Sequence, residues 1–292
     1  MQVLNCAGRL AVATRHGIVD VGAASGGRFG PDPQSAFDDW PAFCTWTASL
    51  PLGAAPVDLL DTAVLGPPVP RPAQVFAIGL NYREHAREAG LAIPDAPPTF
   101  TKFPSCLTGP HAPVALPAGA VDWEVELVVV IGIRAEHVSP KNAWTHVAGV
   151  MVGQDLSERV LQTAGPVPQF SLGKSFPGFG PTGPALVTLD ELSDPDDLEL
   201  GCQLEDGEIL QKSRTSDMVF PVPELIARLS AVCPLLPGDL IFTGTPSGVG
   251  ASRDPRQFLQ PGDVLMSWVQ DVGQLRNPMT AATTTADAVS KS

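Results

Sequence analysis

The stretch Val121-Asp-Trp-Glu-Val-Glu-Leu-Val-Val-Val-Ile-Gly132 restricts the possible folds more than any other segment. Its Leu127–Ile131 run offers water no polar side chain, so the strand it predicts must be buried. Glu124 and Glu126 stand two apart at the entrance. They therefore point to one face, roughly 6–7 Å apart along the chain. Two carboxylates entering a core together repel, and burial alone raises their pKa. A hard divalent cation such as Mg²⁺ or Ca²⁺ removes both penalties, because it prefers oxygen ligands. The alternative is an exposed strand start with two solvated acids. A third carboxylate, Asp155, closes the apolar strand HVAGVMVGQD, either as a further ligand or as an N-cap for the turn DLSER. No Cys or His neighbours these acids, which disfavours zinc and copper.

Other short apolar runs bounded by Gly, Pro or Asp also read as strands: VFAIGL, PALVTL, LELGCQL, DLIFTG and VLMSWVQDV. Asp206-Gly207 predicts a hairpin turn between LELGCQLE and EILQKSR, since Gly accepts positive φ freely. Helices are few, at Tyr82–Ala89 and Val222–Ala231. The pattern predicts an α+β, mostly β fold, a sandwich or barrel with few helices. Residues 1–66 read as a small strand-rich N-terminal domain, and the proline-rich 67–72 as a stiff linker. The main domain then runs over 73–279, and 280–292 form a disordered tail.

Within Asn81-Tyr-Arg-Glu-His-Ala-Arg-Glu-Ala-Gly90, Asn81 suits an N-cap and Gly90 a C-terminal stop. His85 and Glu88 lie three apart on one helical face. A carboxylate beside an imidazole fixes its tautomer and raises its basicity, which suits a general base; a surface ion pair is the alternative. Lys174 is the only ionisable side chain between Arg159 and Asp190, set in SLGKSFPGFG as either a site lysine or a solvated one. The segment Phe242–Gly250, FTGTPSGVG, has amides suited to an anion-binding nest beside the Thr245 hydroxyl.

Formal net charge is −13, which makes nucleic acid an improbable partner and requires a locally positive site for any anionic substrate. Five scattered cysteines exclude a paired disulfide framework and predict a reducing, cytoplasmic setting. No apolar run approaches the ~20 residues of a membrane span.

The order and spacing of these segments resemble the fumarylacetoacetate hydrolase family over about residues 72–279. VFAIGLNYREHAREAG, TKFPSCLTGP, VDWEVELVVVIG, AGVMVGQDLSERVLQ, SLGKSF, RTSDMVFPVPELIARLS, LPGDLIFTGTPSGVG and LQPGDVLMSWVQDVGQLRNP carry the resemblance. It implies a mixed β-sandwich or β-roll catalytic domain, a homodimer, and Mg²⁺ or Mn²⁺ held by Glu124, Glu126 and Asp155. It further implies that His85 and Glu88 activate water, that Lys174 stabilises an oxyanion, and that Arg159, Gln162 and Thr245 hold the substrate carboxylate. The implied reaction is metal-dependent hydrolysis of a C–C bond in a small acylpyruvate-like 1,3-dicarbonyl acid. Decarboxylation of an oxaloacetate-type acid, or hydration or isomerisation of a 2-hydroxydienoate, shares the enolate and is the alternative. A non-catalytic metabolite- or metal-binding β domain is the reading of another class, and it predicts loss of His85, Glu88 or Lys174, all of which are present. Three positions depart from the family pattern: Gln154 for Asn, Val160 for Asp, and Pro177 for Asp.

Overall fold

The computed structural model describes residues 1–14, 17–50 and 64–282. Strands β1 (Gln2–Cys6), β2 (Arg9–Thr14) and β3 (Gly17–Asp20) open the chain, before helices α1 (Val21–Ala24) and α2 (Trp40–Ala48). Next come β4 (Val75–Ile78), α3 (Arg83–Glu88), β5 (Thr99–Thr101), β6 (Leu107–Thr108), β7 (Val114–Leu116) and β8 (Val121–Asp122). The centre contributes β9 (Val125–Ile131), β10 (Val147–Gln154), β11 (Ser157–Glu158), α4 (Arg159–Gln162), α5 (Phe170–Gly173) and β12 (Gly180–Val187). The last elements are β13 (Glu199–Leu204), β14 (Ile209–Arg214), α6 (Val222–Ser230), β15 (Leu240–Phe242), β16 (Val264–Val269) and β17 (Gly273–Ala281). The protein is mostly β with few helices, as its sequence predicts.

The main sheet runs β3-β2-β1-β12-β10-β9-β15-β4-β5, with β6 added to β12; a second sheet runs β14-β13-β16-β17-β7. Most neighbours are antiparallel, but β15–β4, β12–β6 and β17–β7 are parallel pairs, which makes the sheets mixed. The apolar run of β9 has a direct cause. It lies between β10 and β15, and its alternate side chains enter two different cores. Leu127, Val129 and Ile131 pack with Val150, Val152 and the α6 residues Leu225 and Ile226. Val128 and Val130 pack with Met151, Phe242 and aromatic residues from the first fifty positions. A polar side chain buried there would need a hydrogen-bond partner, which these two apolar clusters do not offer.

The N-terminal segment does not form a module with its own core. β1 pairs antiparallel with β12, so β1–β3 extend the main sheet. Phe29, Phe37, Trp40 and Phe43 close over its face against Val128 and Val130. A few short strands cannot bury enough apolar area alone, and this face of β9 supplies it. The proline-rich 67–72 segment is likewise packed. Val69 is fully buried in the same cluster, and the Arg71 amide donates to Gln34 Oε1 at 3.0 Å. At the other end, Thr280 and Ala281 pair with Ala115 and Leu116, so the expected tail begins inside a strand. The rest of that tail, from 283, and residues 51–63 lie outside the described residues.

Asp206 adopts φ 61° at the predicted hairpin turn, while Gly90 adopts φ 67° and ends α3 as expected. Asn81 does not cap α3: Tyr82 holds that position without a side-chain bond. The Asn81 amide is fully buried instead. It donates to the Phe220 and Thr243 carbonyls and accepts from the Phe220 amide, which anchors the base of α3 to two distant segments. Among the described residues no helix is long and apolar enough to cross a membrane.

Because Phe43 belongs to the core that includes β9, Phe43→Ala should destabilise the whole protein by about 3–5 kcal/mol. Calorimetry should show one transition shifted as a unit. A separate early transition confined to the N-terminal segment would contradict the shared core.

Candidate active site

Antiparallel pairing places the start of β9 beside the end of β10, with Glu126 opposite Gly153 and Val125 opposite Gln154. That register brings Glu124, Glu126 and Asp155 together although they come from two strands. One carboxylate oxygen of each lies within 4.8 Å of the others, and all three side chains are buried. Gly153 permits this packing: a Cβ there would meet Val128 Cγ2 at 2.4 Å and Phe242 Cε1 at 3.0 Å.

Three cations face this cluster. Lys174, at the end of α5, donates to Glu124 Oε2 at 2.8 Å, Asp155 Oδ2 at 2.7 Å and Ser157 Oγ at 2.8 Å. Lys102 is fully buried; it donates to Asp155 Oδ1 at 2.7 Å and to the Lys174 carbonyl. Arg159, which opens α4, donates to Glu124 Oε1 at 2.7 Å, Asp122 Oδ2 at 2.8 Å and Gln162 Oε1 at 2.9 Å. Glu126 has no cationic partner among the described residues. Its one hydrogen bond comes from the Gly244 amide at 2.7 Å.

The charges titrate accordingly. Burial works against ionised Glu124, but Lys174 and Arg159 outweigh it and hold its pKa down at about 2. Burial also works against charged Lys174, yet Asp155 and Glu124 keep its pKa above the ordinary lysine value. For Glu126, burial and then the charges of Asp155 and Glu124 push the carboxyl well above its usual range. Asp122, Glu124, Glu126 and Asp155 together face Lys102, Lys174 and Arg159, leaving one surplus negative charge when all are ionised. A divalent cation beside Glu126 fits that surplus and that unpartnered carboxylate. It would also turn the site from one net negative to one net positive charge, as an anionic substrate requires.

His85 and Glu88 meet on α3, with His85 Nδ1 3.1 Å from Glu88 Oε2. The Gly248 amide donates to Glu88 Oε1 at 2.9 Å, so the loop after β15 grips the pair. The same loop behaves as the anion nest its sequence suggests, but the anions are the protein's own. Gly244 donates to Glu126, Gly248 to Glu88, and Gly250 and Ala251 to Asp122. One loop thus holds both the pair, through Gly248 on Glu88, and the acid cluster, through Gly244 on Glu126.

Hydrogen bonds around β9 and the loop after β15 fix the partners of the other residues expected at the site. Lys174 gives its ammonium protons to Glu124, Asp155 and Ser157. The Thr245 hydroxyl donates to the Val125 carbonyl and accepts from Gln211 Nε2, both at 2.9 Å, which splices the loop onto β9. Arg159 turns inward to the acids, and its guanidinium also donates to Gln162. Asp155 does not cap the following turn; Glu158 caps α4. Lys102 and Asp122 were not singled out from the sequence. Both stand inside motifs quoted for the resemblance, but an isolated lysine in TKFPS and an aspartate at a strand start carry no periodic signal.

Comparison with known proteins fits this geometry. A family profile described as fumarylacetoacetate (FAA) hydrolase C-terminal matches residues 74–280. The chain belongs to the fumarylacetoacetate hydrolase family. One relative, the mitochondrial oxaloacetate tautomerase FAHD2A of Bos taurus, is 44% identical over 212 residues, covering 72% of this chain and 67% of the relative. A crystal structure from Mycobacterium smegmatis, provisionally assigned as an HpcE protein, superposes with a TM-score of 0.93 at 54% identity, covering 97% of this chain and 100% of that one. Maleylpyruvate hydrolase from Sphingobium sp. SYK-6, solved with manganese(II) and pyruvate, gives a TM-score of 0.76 at 28% identity, covering 97% and 100% of the two chains. Membership in this family of enzymes sets the non-catalytic reading aside, while its members differ in reaction.

The raised pKa of Glu126 has a measurable sign. Between about pH 4.5 and its raised value, the folded metal-free protein holds a proton that the unfolded chain has lost. Stability therefore falls as pH rises through that window, by about 1.4 kcal/mol per pH unit relative to Glu126→Gln, and levels off above it. Saturating Mn²⁺ should abolish the slope, and calorimetric titration should show proton release on binding that Glu126→Gln eliminates. Equal pH slopes for the two metal-free proteins would disprove the burial-raised Glu126.

Proposed function

We propose that the chain is a cation-dependent enzyme that interconverts tautomers of a small 2-oxo diacid of the oxaloacetate type by moving a proton at the carbon beside the carbonyl. The observation that carries this reading is the His85–Glu88 pair, whose Glu88 is held by the Gly248 amide of the loop that also binds Glu126. Proton transfer needs only a base and an electron sink. His85 is placed to be that base. With Nδ1–H donated to Glu88, its Nε2 is left as the atom that takes and returns a proton. When bound by Glu124, Glu126 and Asp155, Mg²⁺ or Mn²⁺ supplies Lewis-acid stabilisation of enolate charge. Arg159 and Lys102 keep the acids paired and in place. The 44% identity to an oxaloacetate tautomerase supports the same reaction class.

C–C hydrolysis of an acylpyruvate remains the second reading, favoured by the likeness to maleylpyruvate hydrolase and by a His–Glu pair suited to orienting water. The two separate in one assay. With Mg²⁺ or Mn²⁺, the protein should accelerate decay of the oxaloacetate enol absorbance, and His85→Ala should slow turnover by about 10²–10⁴-fold while leaving metal affinity unchanged. Pyruvate release from an acylpyruvate panel that outpaces tautomerisation and depends on His85 would replace the first reading with the second.

A homodimer belongs to the same proposal. Val160, Val167 and Leu172 stand 64, 71 and 62% exposed along one segment, an apolar surface of the kind that subunit contact covers. Sedimentation should show a dimer across a wide concentration range; a persistent, active monomer would contradict it. A reducing, cytoplasmic setting fits the five free cysteines.

A further inference from the structure

Asp122 is fully buried, and its carboxylate joins three parts of the molecule. Oδ1 accepts from the Trp123 amide at 2.8 Å and the Gly250 amide at 2.7 Å. Oδ2 accepts from the Ala251 amide at 2.9 Å and from Arg159 Nε at 2.8 Å. Arg159 in turn holds Glu124. The amide that grips Glu88 belongs to Gly248, two residues before Gly250 in the same loop. Gly248 adopts φ +104°, and a Cβ there would meet the Leu210 carbonyl oxygen at 2.1 Å, so the loop passes through a conformation and a gap that exclude other residues. Such a loop needs an anchor on each side of the strained residue. Gly244, bonded to Glu126, and Thr245, bonded to the Val125 carbonyl, provide the first. Asp122 provides the second.

We propose that Asp122 is a positioning residue: it clamps the Gly244–Ala251 loop so that the Gly248 amide aligns the Glu88–His85 pair with the acid cluster. Through Arg159 the same carboxylate sets the orientation of Glu124. One buried side chain therefore registers the acid–base pair on α3 against the triad built on β9 and β10. The proposal rests on reading His85 and Glu88 as the acid–base pair.

Its test needs a readout independent of turnover. In Asp122→Asn, hydrogen exchange at the Gly248 amide should quicken at least about tenfold, while amides within β9 and β10 keep their protection. In Glu88→Gln, by contrast, the Gly250 and Ala251 amides should stay protected, because Asp122 holds the loop without help from the pair. Unchanged Gly248 exchange in the first variant, or loss of Gly250 and Ala251 protection in the second, overturns the proposal. The second measurement decides the matter even where Asp122→Asn does not fold. Activity adds a cycle. Asp122→Asn should lower kcat about 10- to 100-fold with little change in KM, yet cost almost nothing more in a Glu88→Gln background. Additive losses overturn it, and Asp239→Asn, a buried aspartate that binds Gln74 and Leu236 instead, should be additive with Glu88→Gln. If no 2-oxo acid is turned over at all, the proposed function fails, and the exchange measurements still decide the role of Asp122.

Discussion

Four carboxylates buried at the joined ends of two central strands impose the condition that the rest of the site satisfies. Removing one partner of a buried ion pair typically costs about 3–5 kcal/mol, because the other charge is left without solvent or counter-charge. Lys102, Lys174 and Arg159 answer three of the acids, and each cation engages more than one acceptor. Glu126 is left with one amide, and burial together with the neighbouring charges of Asp155 and Glu124 pushes it toward the neutral form. The fold thus concentrates its electrostatic imbalance on a single oxygen-bearing group, facing two further carboxylates. Hard cations bind where that combination occurs.

The backbone contributes as much as the side chains. A single loop after β15 donates amides to Glu126, Glu88 and Asp122 in sequence, and its Thr245 hydroxyl ties it to β9. Backbone N–H groups lose no side-chain entropy on ordering and cannot change protonation, so they make a fixed frame for carboxylates whose charge matters. The arrangement also bears on the net charge of −13, which any anionic ligand approaching the triad would meet. The chain's surface repels anions, and only the local sign at the triad can reverse this. A divalent cation held by Glu124, Glu126 and Asp155 would supply that reversal.

Stability and site share one element. β9 is buried by α6 and the second sheet on one face and by the N-terminal aromatic cluster on the other. Glu124 and Glu126 have the same strand parity as Val128 and Val130, so they continue the face that the N-terminal segment covers. The first fifty residues therefore do more than decorate a catalytic domain. They complete the burial that makes the strand rigid enough to hold two acids in fixed register.

The sequence by itself determined features governed by short spacing. The uninterrupted apolar run of β9, the same-face Glu124 and Glu126, the three-residue step from His85 to Glu88, the Asp206-Gly207 turn and the Gly90 stop all depend on local geometry with a period of 2.0 or 3.6 residues. Tertiary structure decided which distant groups meet. Lys102 reaches Asp155 across 53 positions, the Gly248 amide reaches Glu88 across 160, and Gln2 of β1 finds Val187 of β12. It also decided the partners of Lys174, Arg159 and Thr245, because a donor pairs with whichever acceptors stand within about 3 Å, and those come from other strands and loops. Periodicity reports the face on which a residue lies; only the packed sheets determine what stands opposite that face.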